Sequence, residues 1–380
     1  MSRGDGGRRA PLALAIAGAV GVVSAIAAVA AGLVRSDHFY HAYLLAFLVW
    51  LAVPLGSLTI LGVHHVSGGR WGLGAAPPAR AAVLTLPLLA AAFVPLALGL
   101  QHLYPWARVE EVAADFALRW KTPYLNLPFF LVRAVVAFLL WSLLALVLQR
   151  WSRRYAARPD PSLRVRLQAL AAGGLVLHAV LSGFAAIDWI GALAKEWYSS
   201  VFGLQIFVGQ ALSALAVAAL ATGLAAPRMD AGDAQVRGVR QDIGSLLLTL
   251  VVLYAYLAFS NGYVIWIGNL SHEISWFEPR VHGGWKALGL LLMVIHFGVP
   301  FWALLFRRVK RHPAPLFAVV VVICAARLLD QAWIVLPFGP RGAGIWLLSL
   351  VLLAGLGGLW LAAFLWFWGR EPRPLEATAS

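Results

Sequence analysis

Ten stretches of this chain stay apolar for longer than a soluble core helix needs, and that repeated length limits the fold more than any other feature. A helix rises about 1.5 Å per residue, so a hydrocarbon layer of about 30 Å takes about 20 mostly apolar residues. The stretches run 11–34, 39–63, 80–104, 124–148, 166–188, 198–224, 243–268, 284–306, 315–337 and 343–368. Backbone N–H and C=O groups in lipid must be satisfied within the segment, so such stretches are helices. The sequence predicts an all-α membrane protein with ten transmembrane helices. Only 12% of residues are charged and 61% are hydrophobic, where a soluble chain carries about 25% charged residues. The loops are short, so no soluble domain is expected.

The formal net charge of +14 has a membrane explanation and does not point to nucleic acid. An even number of spans puts both termini on one side. Most of the basic residues fall on that side, including Arg8, Arg9, Arg70, Arg80, Arg150, Arg153, Arg154, Arg307, Arg308, Lys310 and Arg311. The positive-inside rule then places both termini in the cytoplasm. Tryptophans near span ends, such as Trp106, Trp151, Trp189, Trp197 and Trp285, suit the membrane interfaces. Arg8 and Arg9 before an apolar run superficially resemble a signal peptide, but the run is too long for one and reads as a retained helix. The lone Cys324 leaves no intramolecular disulfide or thiolate cluster.

A weak internal repeat divides the chain. Span 2 opens at Phe39-Tyr40 and span 6 at Trp197-Tyr198; span 5 closes on Asp188-Trp189-Ile190 and span 9 on Asp330, Trp333 and Ile334. Spans 2–5 and 6–9 read as two four-helix bundles in parallel repeat, with spans 1 and 10 peripheral. The corresponding segments are 1–38, 39–190, 195–338 and 339–380.

Ionised side chains inside a span are expensive, about 2.5–3.5 kcal/mol on insertion scales, so each one is a candidate functional residue. Span 9 carries Arg327 and Asp330, three residues apart on neighbouring helical faces where they can neutralise each other. Span 4 carries Arg133, nine residues past Tyr124 and so about 13 Å along the helix. His41, His102, Arg133 and Asp188 gather towards one mouth of the first bundle, with His178 deeper. A carboxylate or imidazole there can accept a proton from a quinol, and the group forms a candidate quinol pocket. The histidines equally suit ordinary span ends.

In span 7, Ser245, Thr249, Tyr256 and Ser260 recur near one helical face, with Asp242 at the basic end. Together with His296, Arg327 and Asp330 they form a candidate proton pathway, although Ser and Thr also join helices by ordinary hydrogen bonds. His178 and His296 invite a bis-histidine haem reading, but they fall in different bundles. His64-His65 with Gly68-Gly69 reads as a tight turn rather than a metal site, and no catalytic or metal-ligating constellation is expected.

Several segments resemble the F subunit of Alternative Complex III, the bacterial quinol:cytochrome c oxidoreductase, within the wider NrfD and polysulfide-reductase membrane-subunit group. They are GSLTILGVHHVSGGRWG (56–72), YLNLPFFLVR (124–133), WYSSVFGLQIFVGQ (197–210), YAYLAFSNGYVIWIGNL to HEISWF (254–277) and ARLLDQAWIVLP (326–337). The resemblance covers about residues 39–337 and rests on the order and spacing of the segments. It implies two four-helix bundles with flanking helices in the bacterial cytoplasmic membrane, and no covalently bound cofactor. It also implies quinone or menaquinone as the associated redox molecule. Expected partners are a sister quinol-binding subunit, an iron-sulfur subunit, multihaem and monohaem cytochrome c subunits, and membrane lipid. Arg327 and Asp330 match the group's Arg-x-x-Asp. The other readings are a quinol-binding anchor for another iron-sulfur oxidoreductase and, from a different class, a secondary transporter using Arg133, Asp188, Arg327 and Asp330 as ligands.

Overall fold

Proline, asparagine and aspartate punctuate the apolar runs, and they set the helix boundaries. A computed structural model describes residues 15–24, 36–225 and 234–371. The described elements are helices with no strand among them: α1 (Ala15–Ser24), α2 (Ser36–Ser67), α3 (Gly72–Val83), α4 (Leu86–Leu98), α5 (Leu127–Ala157) and α6 (Pro161–Trp189), then α7 (Phe202–Ala225), α8 (Ala234–Gly268), α9 (Gly283–Leu305), α10 (Pro313–Val335) and α11 (Ala343–Trp368). Asn126 opens α5 by accepting the Phe129 N–H, and Asp160 opens α6 by accepting that of Ser162. Each is followed by a proline in the first turn, where a missing N–H does no harm.

Eight of these helices are long and apolar enough to cross a membrane, which makes the chain a multi-pass membrane protein. A ninth crossing is made if α3 and α4 count as one span bent by 41°. The bent pair departs from the expected span 80–104: it starts at Gly72 and breaks at Leu84-Thr85. Pro87 removes a donor just past the break. The Thr85 hydroxyl donates to the Ala82 carbonyl and accepts from the Trp360 indole. Of the expected first span, 11–34, only α1 lies within the described residues, so ten crossings are not established.

α2 and α7 sit at the centre. A Cβ at Gly56 would overlap the Gln210 carbonyl, so only glycine lets the two backbones meet there. α2 also packs on α3, α6 and α11, and α7 on α6, α8 and α10. The expected peripheral place of span 10 is not what the structure shows. α11 lies directly on α2, where Trp50 stacks on Trp360 at 5.2 Å and donates to the Leu353 carbonyl.

α9 is not a uniform helix. Met293–Gly298 winds as a π-turn. Pro300 has no N–H to offer the His296 carbonyl four residues back, and its ring would crowd it. The backbone widens instead, and the Val299 N–H reaches the Val294 carbonyl. Such wide turns are frequent at functional sites.

At the end of the bundle that carries Arg70, Arg80 and Lys310, Glu371 ties α11 to its neighbours. Its buried carboxylate accepts from Arg80, Arg153 and Gln149, each at 2.7 Å. Burial pushes this carboxyl's pKa up, but the hydrogen bonds and charges of Arg153 and Arg80 outweigh it, leaving the value below the ordinary 4.5. A depressed carboxylate contributes stability that is complete above its unfolded pKa and is lost as pH falls through the folded one. Thermal unfolding of the wild-type chain is therefore expected to show a loss of stability as pH drops below 4.5, and Glu371→Gln to remove that component of the acid limb. Identical acid limbs in the two proteins would contradict the assignment.

Candidate functional site

Arg327 and Asp330 meet as the sequence spacing suggests. Arg327 Nη1 donates to Asp330 Oδ2 at 2.5 Å, and both residues are buried. The structure adds a partner that the spacing does not reveal. Tyr254 of α8 donates its hydroxyl to the same Oδ2 at 2.5 Å, and Gln205 of α7 donates to the Tyr254 oxygen at 3.3 Å. Arg327 Nε reaches Ser213 Oγ at 3.2 Å, and its guanidinium lies 4.7 Å from the Tyr254 ring centroid. His296, on the π-turn of α9, packs against Tyr254 with ring centroids 4.6 Å apart. Four helices thus contribute to one buried polar centre about 8 Å from the end of α10.

Gly209 makes the centre fit. A Cβ there would stand 2.6 Å from Arg327 Nη2 and 3.0 Å from the Tyr254 ring, so any side chain would push the guanidinium away from Asp330. Three polar atoms at the centre stay unmatched: Arg327 Nη2, Gln205 Oε1 and His296 Nε2 are buried without a hydrogen-bond partner. Buried polar atoms are ordinarily paired, so unmatched ones mark a place for water or a ligand. One side of the centre opens into a cleft of about 600 Å³ between α8 and α9, lined by Tyr254, His296 and Asp330 and by apolar side chains such as Phe259, Met293 and Phe297.

The hydroxyl row of α8 lies elsewhere. At about 100° per residue, Tyr254 stands about 180° around the helix from Ser245. Thr249 and Tyr256 are exposed on the outer face, and Ser260 is half-buried. Ser245 and Thr249 direct their hydroxyls to carbonyls one turn back, on Gln241 and Ser245. Ser245 also accepts from Lys310 Nζ at 3.2 Å, and Asp242 pairs with Arg70 at 2.6 Å. Of the eight residues of the expected proton pathway, the structure joins His296, Arg327 and Asp330. It leaves Asp242, Ser245, Thr249 and Ser260 on another face, while the exposed Tyr256 lines the cleft wall outside the buried centre.

The five residues expected around a quinol in the first bundle separate into three places. Arg133 makes a two-pronged bond to Asp188, at 2.7 and 3.0 Å, and sends Nη1 to the Tyr124 carbonyl at 2.9 Å. Its long side chain reaches back towards the span end, which relieves the depth read from its position. His102 pairs with Asp37 at 2.7 Å and stacks on Tyr40, while His41 bonds the Asp37 carbonyl. His178 is fully buried among Trp141, Phe207 and Ser182. Aromatic rings fill the space inward of these groups: Phe93, Phe130, Phe138 and Trp189 pack against one another, and Tyr104 and Trp106 cover Phe130.

Arg280 had no signal in the sequence, because it lies in a connecting segment. It is 2% exposed and donates to the Trp333 and Ile334 carbonyls at the end of α10 and to the Trp276 carbonyl, with its guanidinium 4.0 Å from the Trp276 ring. A cation on the last carbonyls of a helix satisfies groups the helix itself leaves open. That cap fixes the segment of α10 that carries Asp330.

Among the described residues no group of three or more His, Cys, Asp or Glu side chains is placed to hold a metal ion. No model of a known protein family matches the chain, and no curated protein matches it.

Proposed function

We propose that the chain is an integral-membrane subunit of a quinol-oxidising respiratory complex of the Alternative Complex III type, in the bacterial cytoplasmic membrane. In this reading it supports quinol oxidation by handling protons at the Asp330 centre. Quinone or menaquinone is the associated redox molecule. The sister membrane subunit, the iron-sulfur subunit and the cytochrome c subunits carry the electrons. Helices α2–α6, with α3 and α4 as one bent span, and α7–α10 form two four-helix units, and the end bearing Arg70, Arg80, Arg153 and Lys310 faces the cytoplasm.

The observation that carries this reading is the buried Asp330 carboxylate, held by Arg327 and Tyr254 beside the unmatched His296 nitrogen. Intramembrane carboxylates are rare, are kept paired, and mark ion pathways and proton relays. An Asp330→Asn variant keeps a side chain of the same shape, can still accept from Tyr254 and cannot exchange a proton. In the complex reconstituted into vesicles, Asp330→Asn is expected to assemble and pass electrons while moving at most about half the protons per electron. Asp330→Glu, which retains the titrating group, is expected to recover part of the loss. An unchanged proton-to-electron ratio in the Asn variant would refute the proposal.

A further inference from the structure

We propose that the α5–α6 hairpin carries a binding site for an anionic phospholipid, with the phosphate against Arg150 and Arg154 and the acyl chains along the outer face of α5. The site lies apart from the Asp330 centre and does not depend on the quinol-oxidising reading.

Charge is concentrated at this turn. Residues 150–166 hold six arginines, Arg150, Arg153, Arg154, Arg158, Arg164 and Arg166, against the single acid Asp160. Asp160 is occupied at the start of α6, where it accepts from the Ser162 N–H and hydroxyl. Other arginines at this end are matched: Arg70 by Asp242, and Arg80 and Arg153 by Glu371. Arg150 and Arg154 are exposed, and among the described residues no carboxylate pairs with them.

These two arginines end an apolar stripe. At about 100° per residue, Val136, Leu139, Leu143, Leu146, Arg150 and Arg154 fall within a sector of about 80° on α5. The four apolar members are each more than 40% exposed. Val136 to Leu146 covers about 15 Å of helix, half of a hydrocarbon layer of about 30 Å. The stripe therefore matches the depth of one leaflet, and the guanidinium groups stand at its headgroup edge. There Val147, Arg150, Trp151, Arg153 and Arg154 line a surface hollow of about 540 Å³. A tryptophan beside basic groups suits that level of the membrane.

Charge and stripe together choose the occupant. A free phosphate would engage the arginines and leave the stripe unused. A soluble acidic protein would do the same, because the stripe runs into the apolar layer. A neutral lipid would cover the stripe and leave the guanidinium groups without a counter-charge. An anionic phospholipid meets both, and polybasic segments beside a membrane attract such headgroups.

The test titrates the full chain, freed of lipid in neutral detergent, with short-chain phosphatidylglycerol and reads bound lipid by native mass spectrometry. Phosphatidylglycerol is expected to bind at least about tenfold more tightly than phosphatidylethanolamine of the same chain length. Arg150→Gln with Arg154→Gln is expected to remove that difference with the unfolding temperature unchanged. Arg307→Gln with Arg308→Gln takes two exposed charges from the same end and is expected to leave it intact. Equal losses in the two double variants would mean diffuse charge attraction and overturn the proposal. Glycerol phosphate that competes as well as phosphatidylglycerol would make this a soluble-phosphate site and overturn it too. Extracted from membranes into polymer-bounded nanodiscs, the wild type is expected to retain anionic phospholipid that the Arg150/Arg154 variant loses. A wild type retaining none would mean that another partner covers the arginines, which also refutes the lipid assignment.

Discussion

Replacement of Arg327 by methionine is expected to lower the stability of the detergent-solubilised protein by about 3–5 kcal/mol, the loss that follows when one member of a buried ion pair is taken away. Arg327 is 4% exposed, and Asp330 would be left as a desolvated carboxylate with only the Tyr254 hydroxyl to meet it. The void left by the guanidinium beside Gly209 adds to the loss. The double variant Arg327→Met with Asp330→Asn removes both charges and keeps a hydrogen-bonding partner for Tyr254, so it should recover more than half of the deficit. Denaturant unfolding of the single and double variants measures this coupling. A single-variant loss below about 1 kcal/mol would mean that solvent or another group already neutralises Asp330.

Arg133→Met should show the second large effect, and it separates the two charged centres. Asp188 is almost entirely buried and would lose both prongs of its partner, and the Tyr124 carbonyl would lose a donor. Arg133 lies nearer a span end and is 13% exposed, so water moderates the loss to about 2–3 kcal/mol. The expected outcome is lower thermal stability with an unaltered proton-to-electron ratio. A changed ratio at normal stability would move the proton function to the first unit and contradict its placement at Asp330.

The sequence shows how much of this could be read in advance. Apolar length is a one-dimensional property, and the long helices lie close to the stretches that length marks out. α3 and α4 are the exception, because the prolines that bend them sit inside the apolar run rather than at its edge. Arg327 and Asp330 stand out because charge is rare in such runs, and three-residue spacing on a helix brings the groups together. Tyr254 does not stand out. Its neighbour two residues on, Tyr256, completes an apparent hydroxyl row, and only the position of α10 decides which tyrosine is inside. Arg133 and Asp188 were visible as unusual residues, but they answer each other and leave no reaching group for a ligand. Arg280 and Glu371 sit outside the apolar runs, where charge is ordinary. Nothing short of the three-dimensional neighbourhood reveals that they are buried.

The wide turn of α9 has a consequence for how related chains would vary. A π-turn accommodates one residue more than an α-turn over the same rise. Deleting one residue between Met293 and Gly298 would let the segment wind as ordinary helix and still leave it long enough to cross a membrane. Side chains beyond the deletion would keep their directions, while those within the turn, His296 among them, would be re-aimed. His296 would no longer face Tyr254, and the apolar profile of the span would barely register the change. Single-residue length differences within this span are therefore a sharper indicator of whether the centre persists than overall hydrophobicity.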